Sequence, residues 1–238
     1  MNIILLEPQQ ESSSGLYRLN ERQAQHLQKV IKASPGDTFR VGLLDGLIGE
    51  GEYVLQEEAC IRITRLTEAP PSALPLTVIL ALPRPNMLKR TLLNMTAMGV
   101  KQIVILNSAK VEKSYWQSPV LAPESIRNML IEGLEQARDT CLPTVQMMPR
   151  FRPYVEDILP SISTGKRCLI AHPYQAEPCP VALTQEAILA IGPEGGWNEF
   201  EVSKWSEAGF ESVHLGERIL KVETAVPVLL SRLYPAGL

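Results

Sequence analysis

Short runs of apolar residues separated by turn sequences occupy the first 70 residues of the chain. Five runs are predicted as strands because they are rich in apolar residues over a few positions and are bounded by turn-forming residues. One helix interrupts them near Glu21–Lys32, with Asn20 as its cap and Gln23 spaced to complete a capping box. The pattern predicts a small β-barrel. The predicted strands are Ile3–Leu6, Leu16–Leu19, Thr38–Leu44, Gly51–Leu55 and Ala59–Leu66.

The pattern changes after Pro70, Pro71 and Pro75, which suit neither a helix interior nor a central strand. We therefore predict one domain over residues 1–70 and a second over residues 74–238. Beyond the boundary, apolar runs of strand length alternate with helical patterns, which is typical of an α/β fold with a parallel sheet and helices on both faces. The predicted strands are Leu76–Leu82, Gln102–Leu106, Thr144–Met148, Cys168–Ala171 and Ala187–Ile191, and the predicted helices are Met87–Met98, Glu124–Arg138 and Pro153–Ser163.

Two loops near the end of the chain each follow a predicted strand. The strand Ala187–Ile191 leads into the glycine-rich stretch Gly192–Trp197, and a short strand near Ser212–Leu215 leads into the loop Gly216–Glu223. In open parallel sheets, ligands bind beyond the carboxyl ends of the strands, where glycine lets the backbone come close to them. The two loops therefore mark a candidate ligand site.

Capping residues delimit the helices that follow these loops. Asn198 and Glu201 are spaced as a capping box for a helix that should end at Gly209. Thr224 is expected to cap the terminal helix. Pro227 would then lie in the first turn of that helix, where its missing N–H costs little.

Composition places the chain among ordinary globular proteins, with 45% hydrophobic and 21% charged residues. No apolar run approaches the roughly 18 residues of a membrane span, and the stretch Met1–Gln10 lacks the basic start of a secretory signal. We therefore expect a cytoplasmic protein without a membrane segment. The four cysteines are irregularly spaced, so we expect reduced thiols and no metal site.

Charge is unevenly distributed along the chain. Residues 71–150 carry nine Lys and Arg against five Asp and Glu, although the whole chain has a net charge of -3. Clustered cations can neutralise phosphates because screening limits the influence of distant charges. The middle of the chain is therefore either an RNA-binding surface or a solvated helix face.

The usual nucleotide-binding motifs are missing. There is no phosphate-binding P-loop, no dinucleotide-binding glycine pattern and no nucleophile elbow of a serine hydrolase. The loop Gly192–Gly196 contains the acidic Glu194 and no lysine, which suits a ligand with little negative charge. An adenosine sulfonium is such a ligand.

Two C-terminal motifs carry a family resemblance. The motif Ile191-Gly192-Pro193-Glu194-Gly195-Gly196 is followed by a second motif that runs from Leu215-Gly216 through Arg218-Ile219-Leu220 to Glu223-Thr224-Ala225. Together they resemble the signature of bacterial 16S rRNA uridine-N3 methyltransferases of the SPOUT class. Further matches are His26-Leu27 with Val30, Gly36-Asp37, Asp45-Gly46, Leu82-Pro83, Gly99-Val100, Glu112-Lys113-Ser114 and Glu135-Gln136 with Pro143.

The resemblance implies a fold and partners that periodicity does not reveal. It implies a PUA-like RNA-binding barrel at the N-terminus and a SPOUT domain whose chain forms a deep trefoil knot at the C-terminus. It also implies a homodimer, 16S rRNA of the small ribosomal subunit as substrate, and S-adenosylmethionine (SAM) as cofactor. The residues that would hold the cofactor are Ala171, His172, Ile191, Gly192, Gly196, Leu215, Gly216, Ile219 and Leu220.

Methylation of uridine N3 requires removal of a proton and stabilisation of negative charge on the base. Arg218 is the candidate for stabilising that charge, and Glu223 is the candidate for the base or for an orienting group. Glu223 is also consistent with a carboxylate at the start of the terminal helix. His172 is either part of the pocket wall or an ordinary hydrogen-bonded loop residue.

Contacts to the RNA backbone are assigned to exposed cations. Trp116 and Trp197 are candidates for stacking on an extruded base, or else for core packing. Phosphate contacts would position the RNA without specifying its sequence. The candidate RNA-binding residues are Arg18, Arg22, Lys29, Lys32, Arg84, Lys89, Arg90, Lys110, Lys113 and Gln136.

The chain departs from the family pattern at four positions, which are Ala97, Lys221, Val222 and Asp139. These departures leave the cofactor motifs intact and concern the acceptor side of the reaction. Two other hypotheses therefore remain open. One is a divergent SPOUT enzyme that modifies another RNA site or atom, and the other is a non-catalytic RNA-binding or ribosome-assembly factor.

Overall fold

The computed structural model describes residues 1–235, which fold as two compact units. The first unit contains Met1–Ser72 together with Leu130–Leu142. The second contains Ala73–Met129 and the chain from Pro143 onward. The segment Leu130–Leu142 thus packs with the first unit although it lies within residues 74–238 of the sequence.

A six-stranded sheet forms the first unit, in the order β1-β4-β5-β6-β3-β2. Strand β1 pairs in parallel with β4, and the remaining neighbours are antiparallel. Leu6, Val41, Tyr53 and Ile61 are buried in its core. The five predicted strands are confirmed, whereas β2 was not predicted. The strands are β1 (Ile4–Leu6), β2 (Glu11–Ser13), β3 (Leu16–Arg18), β4 (Thr38–Leu43), β5 (Ile48–Leu55) and β6 (Ala59–Glu68).

The predicted helix of the first unit has two parts. Helix α1 (Glu21–Gln25) continues as a π-helical segment, His26–Ile31, which ends at Lys32 with a φ of 59°. The predicted capping box is confirmed, because Asn20 Oδ1 accepts the backbone N–H of Gln23 at 2.9 Å and Gln23 returns a bond to the backbone of Asn20. The sequence pattern did not distinguish the α from the π part.

The segment Leu130–Leu142 is held in the first unit by polar and apolar contacts. Leu134 packs on Leu5 in a small apolar cluster. The hydroxyl of Thr140 donates to the carbonyl oxygen of Gly46 at 2.6 Å. Arg22 forms an ion pair with the buried Glu135 at 2.6 Å. Burial alone would lower the pKa of Arg22, but the hydrogen bond and charge of Glu135 outweigh it and raise that pKa.

A seven-stranded sheet forms the second unit, in the order β11-β13-β10-β12-β7-β8-β9. Every pair of neighbours is parallel, which confirms the predicted α/β fold with a parallel sheet. Strand β11 was not predicted. The strands are β7 (Leu76–Ala81), β8 (Gln102–Leu106), β9 (Thr144–Met148), β10 (Arg167–Ala171), β11 (Glu177–Pro178), β12 (Ala187–Ile191) and β13 (Glu211–His214).

Helices connect most of these strands, as the alternating pattern predicted, but no helix lies between β10 and β12 in the part of the chain that the structure describes. The stretch predicted as one helix over Pro153–Ser163 consists of α4, a π-helical turn at Tyr154–Ile158, and α5. The remaining short helical turns are of the 3-10 type, at Pro8–Gln10, Lys113–Gln117 and Pro119–Leu121. The helices are α2 (Pro85–Ala97), α3 (Pro123–Ala137), α4 (Phe151–Pro153), α5 (Leu159–Ser163), α6 (Glu199–Glu207) and α7 (Val222–Leu233).

The start of the terminal helix differs from the prediction. Helix α7 begins at Val222 with Lys221 as its cap residue, so Thr224 is not the cap and the prediction was wrong. Pro227 accordingly lies inside the helix and not in its first turn. The reason is burial, because Val222 and Val226 share the buried face of the helix. Burial of apolar side chains in that additional turn stabilises the helix by more than the loss of the one backbone hydrogen bond that Pro227 cannot donate.

Two further expectations can be compared with residues 1–235. No helix in this range has both the length and the apolar character that a membrane crossing needs. The four cysteines are free, and three of them, Cys60, Cys168 and Cys179, are buried. Burial raises the pKa of each of these three thiols, which keeps them protonated as packed side chains.

Candidate functional site

Three neighbouring parallel strands, β13, β10 and β12, end at the same edge of the second sheet. The loops that follow them begin at Leu215, His172 and Gly192 respectively. Together these loops enclose a cavity of about 800 Å³. The two loops singled out in the sequence therefore lie at the same edge of the sheet, on either side of the loop after β10.

The cavity wall contains each of the nine residues predicted to hold a cofactor, and it contains Arg218. Their roles stay predictions, since geometry alone gives only their position. Several other wall residues were not predicted to hold the cofactor. These include Lys110 after β8, Tyr174 after β10, Trp197 at the end of the glycine-rich loop, Val213 in β13 and Leu229 in α7.

The glycine-rich loop after β12 is a tight turn closed by its own backbone. The N–H of Gly196 donates to the carbonyl oxygen of Pro193 at 2.8 Å, and Gly196 adopts a φ of 68°, where glycine is favoured. The turn ends at Asn198, whose side chain accepts the N–H of Glu201 at 2.7 Å. This confirms the predicted capping box, which starts α6.

Trp197 lies in a cluster of aromatic rings that support this loop. It is 4% exposed, and its ring centroid lies 5.5 Å from that of Trp205 and 6.1 Å from that of Phe151. Its indole Nε1 has no hydrogen-bond partner within the described part of the chain. Of the two hypotheses for Trp197, this position favours packing beneath the cavity over stacking on a base from outside.

Segments that follow β7 and β8 fasten the glycine-rich loop from outside. The N–H of Arg84 donates to Glu194 Oε1 at 3.2 Å, and the N–H of Ala109 donates to Glu201 Oε1 at 2.7 Å. The ammonium of Lys110 donates to the carbonyl oxygen of Gly195 at 2.8 Å. Five successive strands of the sheet therefore contribute to the site, namely β13, β10, β12, β7 and β8.

Two histidines lie in the cavity wall. Burial, and to a smaller degree the positive charge of Lys110, lower the pKa of His172, which favours its neutral form. The ring of His172 makes an edge contact with Tyr174 at 5.7 Å between centroids. His214 Nδ1 accepts the N–H of Gly216 at 2.9 Å, and Gly216 has a φ of 105°, which only glycine adopts readily.

The two predicted catalytic residues differ in position. Arg218 is exposed, lies in the loop after β13 and lines the cavity. Glu223 lies in the first turn of α7, is partly buried, and is outside the cavity wall. A carboxylate at this end of a helix is stabilised by the helix dipole. The geometry thus favours Arg218 for contact with a bound ligand and Glu223 for the start of α7.

The candidate RNA-binding residues are all exposed. Arg18 pairs with Glu58, Arg22 pairs with Glu135, and Lys110 binds Gly195 as described. Lys89 and Arg90 border a shallow hollow on α2. The remaining candidates are Lys29, Lys32, Arg84, Lys113 and Gln136.

Trp116 is half-buried, and its Nε1 donates to Asn107 Oδ1 at 2.8 Å, which fixes its ring. Within residues 1–235, no three His, Cys, Asp or Glu side chains are grouped in a way that could hold a metal ion.

Comparison with known proteins identifies the family. Residues 70–234 match the model of the RNA methyltransferase domain. The ribosomal RNA small subunit methyltransferase E of Treponema pallidum is 32% identical over 233 residues, which cover 94% of this chain and 87% of that protein.

Solved structures share the fold. A Legionella pneumophila methyltransferase in complex with SAM has a TM-score of 0.76 at 23% identity, covering 97% of this chain and 95% of that one. A Neisseria gonorrhoeae ribosomal RNA small subunit methyltransferase E bound to SAM has a TM-score of 0.72 at 24% identity with the same coverage. By its domain match and its relatives, this chain belongs to the RNA methyltransferase family, in the group of the ribosomal RNA small subunit methyltransferases E.

Proposed function

We propose that this protein transfers a methyl group from SAM to N3 of a uridine in the 16S rRNA of the small ribosomal subunit. The observation that carries the proposal is the cavity of about 800 Å³ enclosed by the loops after β10, β12 and β13. The Treponema relative is named for methylation of small-subunit rRNA, and both structural neighbours bind SAM. An rRNA substrate would place the protein in the cytoplasm.

The cavity suits SAM in size and chemistry. Its volume lies within the roughly 300–1,000 Å³ typical of small-molecule sites. Its wall is built largely from loop backbone and apolar side chains, with Gly192 and Gly196 leaving room for close approach. SAM supplies an electrophilic methyl group on its sulfonium. The residues proposed to hold it are Ala171, His172, Ile191, Gly192, Gly196, Leu215, Gly216, Ile219 and Leu220.

Arg218 is the residue we assign to the acceptor base. Loss of the N3 proton leaves negative charge on the uracil oxygens, and a guanidinium can donate two hydrogen bonds to such a group. Arg218 is exposed at the cavity wall, where a base presented from outside can reach it. Glu223 is outside the wall, so we assign it to the start of α7 and not to proton removal.

The exposed cations and Gln136 are the residues that we propose to contact RNA, on each unit separately. Lys29 and Lys32 lie on the first unit, whereas Arg84, Lys89, Arg90 and Lys113 lie on the second. We propose that these side chains contact phosphates, which positions the RNA and makes its binding depend on salt. Arg18 and Arg22 are ion-paired, so we expect smaller contributions from them.

The finer features of the fold and assembly belong to the same proposal. We propose a PUA-like first unit, a trefoil knot in the second, and a homodimer. The proposal of the knot is consistent with the contacts at the end of α7, which lies beside earlier segments: the hydroxyl of Tyr234 is within hydrogen-bond distance of the carbonyl oxygens of Pro75 and Gln185, and the N–H of Leu183 donates to Leu233.

Another target nucleotide is a second candidate, because the chain departs from the family pattern at four positions. Two of these positions are buried in the structure. Asp139 accepts the N–H of Cys141 at 2.9 Å, and Val222 packs in the apolar face of α7. Ala97 lies in α2 and Lys221 at the cap of α7. Asp139 is outside the cavity wall, whereas Val222 belongs to it, so the departure at Val222 reaches the lining of the cavity.

The test combines cofactor binding with analysis of the modified nucleoside. Calorimetry should show binding of SAM, and mass spectrometry of 16S rRNA from a deletion strain should show loss of 3-methyluridine. Restoration by the intact gene, and failure of the Arg218→Ala gene to restore it, would support the assignment. Binding of SAM with 3-methyluridine retained in the deletion strain would indicate another target. Absence of SAM binding would favour a non-catalytic RNA-binding factor.

A further inference from the structure

The peptide unit between Gly195 and Gly196 is bonded at both of its polar ends. Its carbonyl oxygen accepts a hydrogen bond from Lys110 Nζ at 2.8 Å. Its N–H donates to the carbonyl oxygen of Pro193 at 2.8 Å. Lys110 lies on a different segment, after β8, so one of the two bonds comes from outside the loop.

The stem of Lys110 also lies along the loop. A Cβ atom built on Gly195 would lie 3.0 Å from Cδ and 3.3 Å from Cβ of Lys110. The side chain therefore packs against the glycine backbone before its ammonium reaches the carbonyl. Lys110 is exposed overall but forms part of the cavity wall, beside the loops after β10 and β12.

Two adjacent glycines would otherwise give this turn many accessible conformations, because glycine restricts φ and ψ least. Fixing the orientation of the Gly195–Gly196 peptide removes much of that freedom before a ligand binds. A preorganised loop binds more tightly because less conformational entropy is lost on binding.

We propose that Lys110 is a positioning residue of the cofactor site, which holds the Gly195–Gly196 peptide in the conformation that receives SAM. This role rests on the proposed function of the cavity. It differs from the phosphate contact expected for Lys110 from sequence, since the ammonium that would meet a phosphate is bound to the loop.

The charge of Lys110 offers an independent observable. His172 lies in the same wall, and the positive charge of Lys110 adds to burial in lowering its pKa. The other ionisable side chains of the wall are Tyr174, Glu194, Glu199, His214 and Arg218. Lys110→Arg keeps the positive charge, so a higher pKa of His172 in Lys110→Met than in Lys110→Arg reports the loss of that charge.

The test compares Lys110→Met, which keeps the stem and removes the donor, with Lys110→Arg, which keeps a cationic donor. We expect SAM to bind Lys110→Met on the order of tenfold more weakly, as for loss of one charge-assisted hydrogen bond at a partly exposed site. The SAM affinity of Lys110→Arg should be closer to that of the unchanged protein than the affinity of Lys110→Met is. NMR titration should show a higher pKa of His172 in Lys110→Met than in Lys110→Arg.

Lys166→Met is the matched control, since Lys166 forms a surface ion pair with Glu186 and is outside the cavity wall. It should leave SAM affinity unchanged. Equal SAM affinity of Lys110→Met and the unchanged protein would overturn the proposal, as would equal weakening in both Lys110 variants with no change in the titration of His172. If the unchanged protein itself fails to bind SAM, the proposed function fails before this inference is tested.

Discussion

A Cβ atom on Gly192 would lie 3.1 Å from the indole Nε1 of Trp197, so the ring occupies the space that a side chain at this position needs. Trp197 has little room to yield, because Trp205 and Phe151 pack on it. We predict that Gly192→Ala lowers the free energy of unfolding by about 1–3 kcal/mol, as overpacking does, and weakens SAM binding. Urea unfolding, tryptophan fluorescence and calorimetry measure these effects.

The smaller ring of Trp197→Phe provides the control. In the Gly192→Ala background it should recover part of the lost SAM affinity, because the methyl group gains space. If the effects of Gly192→Ala and Trp197→Phe are additive in both the free energy of unfolding and the SAM affinity, the contact between the two residues is not the cause of the losses.

Arg218→Ala should lower the rate of methyl transfer by about a hundredfold or more, as when a donor to developing negative charge is removed. SAM affinity should change by no more than a few-fold, because the guanidinium is assigned to the acceptor. Single-turnover methylation of small-subunit rRNA, with calorimetry for SAM, separates the two effects. Arg218→Lys keeps the charge without the bidentate geometry, so its rate of methyl transfer should lie between the rates of the unchanged protein and of Arg218→Ala. Full turnover by Arg218→Ala would remove Arg218 from this role.

His172 should make the protein less stable as the pH falls. Its pKa in the folded protein lies below the ordinary 6.5 because burial and Lys110 disfavour the imidazolium. The unfolded chain therefore takes up a proton first, and this stability is present above pH 6.5 and lost as the pH falls from there towards the lowered pKa. Thermal melts of the intact protein and of His172→Asn, from about pH 8 to about pH 5, measure the difference. If the melting temperatures of the two proteins change with pH in the same way, the prediction is wrong.

Arg22→Ala should destabilise the first unit because it leaves the carboxylate of Glu135 buried without its partner. Glu135 is 2% exposed, and its Oε1 has no hydrogen-bond partner in the described residues. We expect a loss of roughly 2 kcal/mol, less than for a fully buried pair because the Arg22 side chain is 46% exposed. Urea unfolding measures it.

A surface ion pair in the same unit is the control for this prediction. Arg18→Ala removes the partner of Glu58, and both side chains are more than half exposed, so its effect should be about 0–1 kcal/mol. Equal losses in the Arg18 and Arg22 variants would show that burial of Glu135 does not matter.

Tyr234→Phe should lower the free energy of unfolding by about 1 kcal/mol, the usual effect of removing one hydrogen bond. The hydroxyl of Tyr234 lies 3.1 Å from the carbonyl oxygen of Pro75 and 2.7 Å from that of Gln185. Burial and the nearby Glu186 raise its pKa to about 12, so it is a donor at neutral pH. Thermal denaturation measures the change. Tyr174→Phe alters a side chain that is 67% exposed and should leave the melting temperature unchanged.

Several elements were predictable from local sequence. The strands β8, β9 and β12 were predicted to the residue. For β8 and β12 the reason is that buried parallel strands are apolar runs with polar or turn-forming residues at their ends. The capping boxes at Asn20 and Asn198 were also predictable, since both partners lie within three residues. The position of the cavity followed from the two loops, which leave the parallel strands β12 and β13 at the same edge of the sheet.

Elements that depend on distant contacts were not predictable in this way. The two-residue strand β11 is defined by its pairing with β13 and has no apolar run of its own. Burial of Val222 sets the early start of α7. The prediction placed this start too late because it assumed that Pro227 must lie in the first turn. Lys110 is separated from Gly195 by 85 residues, so the sequence near either residue does not predict their hydrogen bond.

The sequence by itself determined the alternation of helices and strands, the capping boxes at Asn20 and Asn198 and the paired glycine-containing motifs, because each depends on residues close together in the chain. The tertiary structure decided which side chains from other segments enter the cavity wall and which cations are bound within the protein. These contacts join residues far apart in the sequence, and they form only when the order of strands in the sheet brings their loops together.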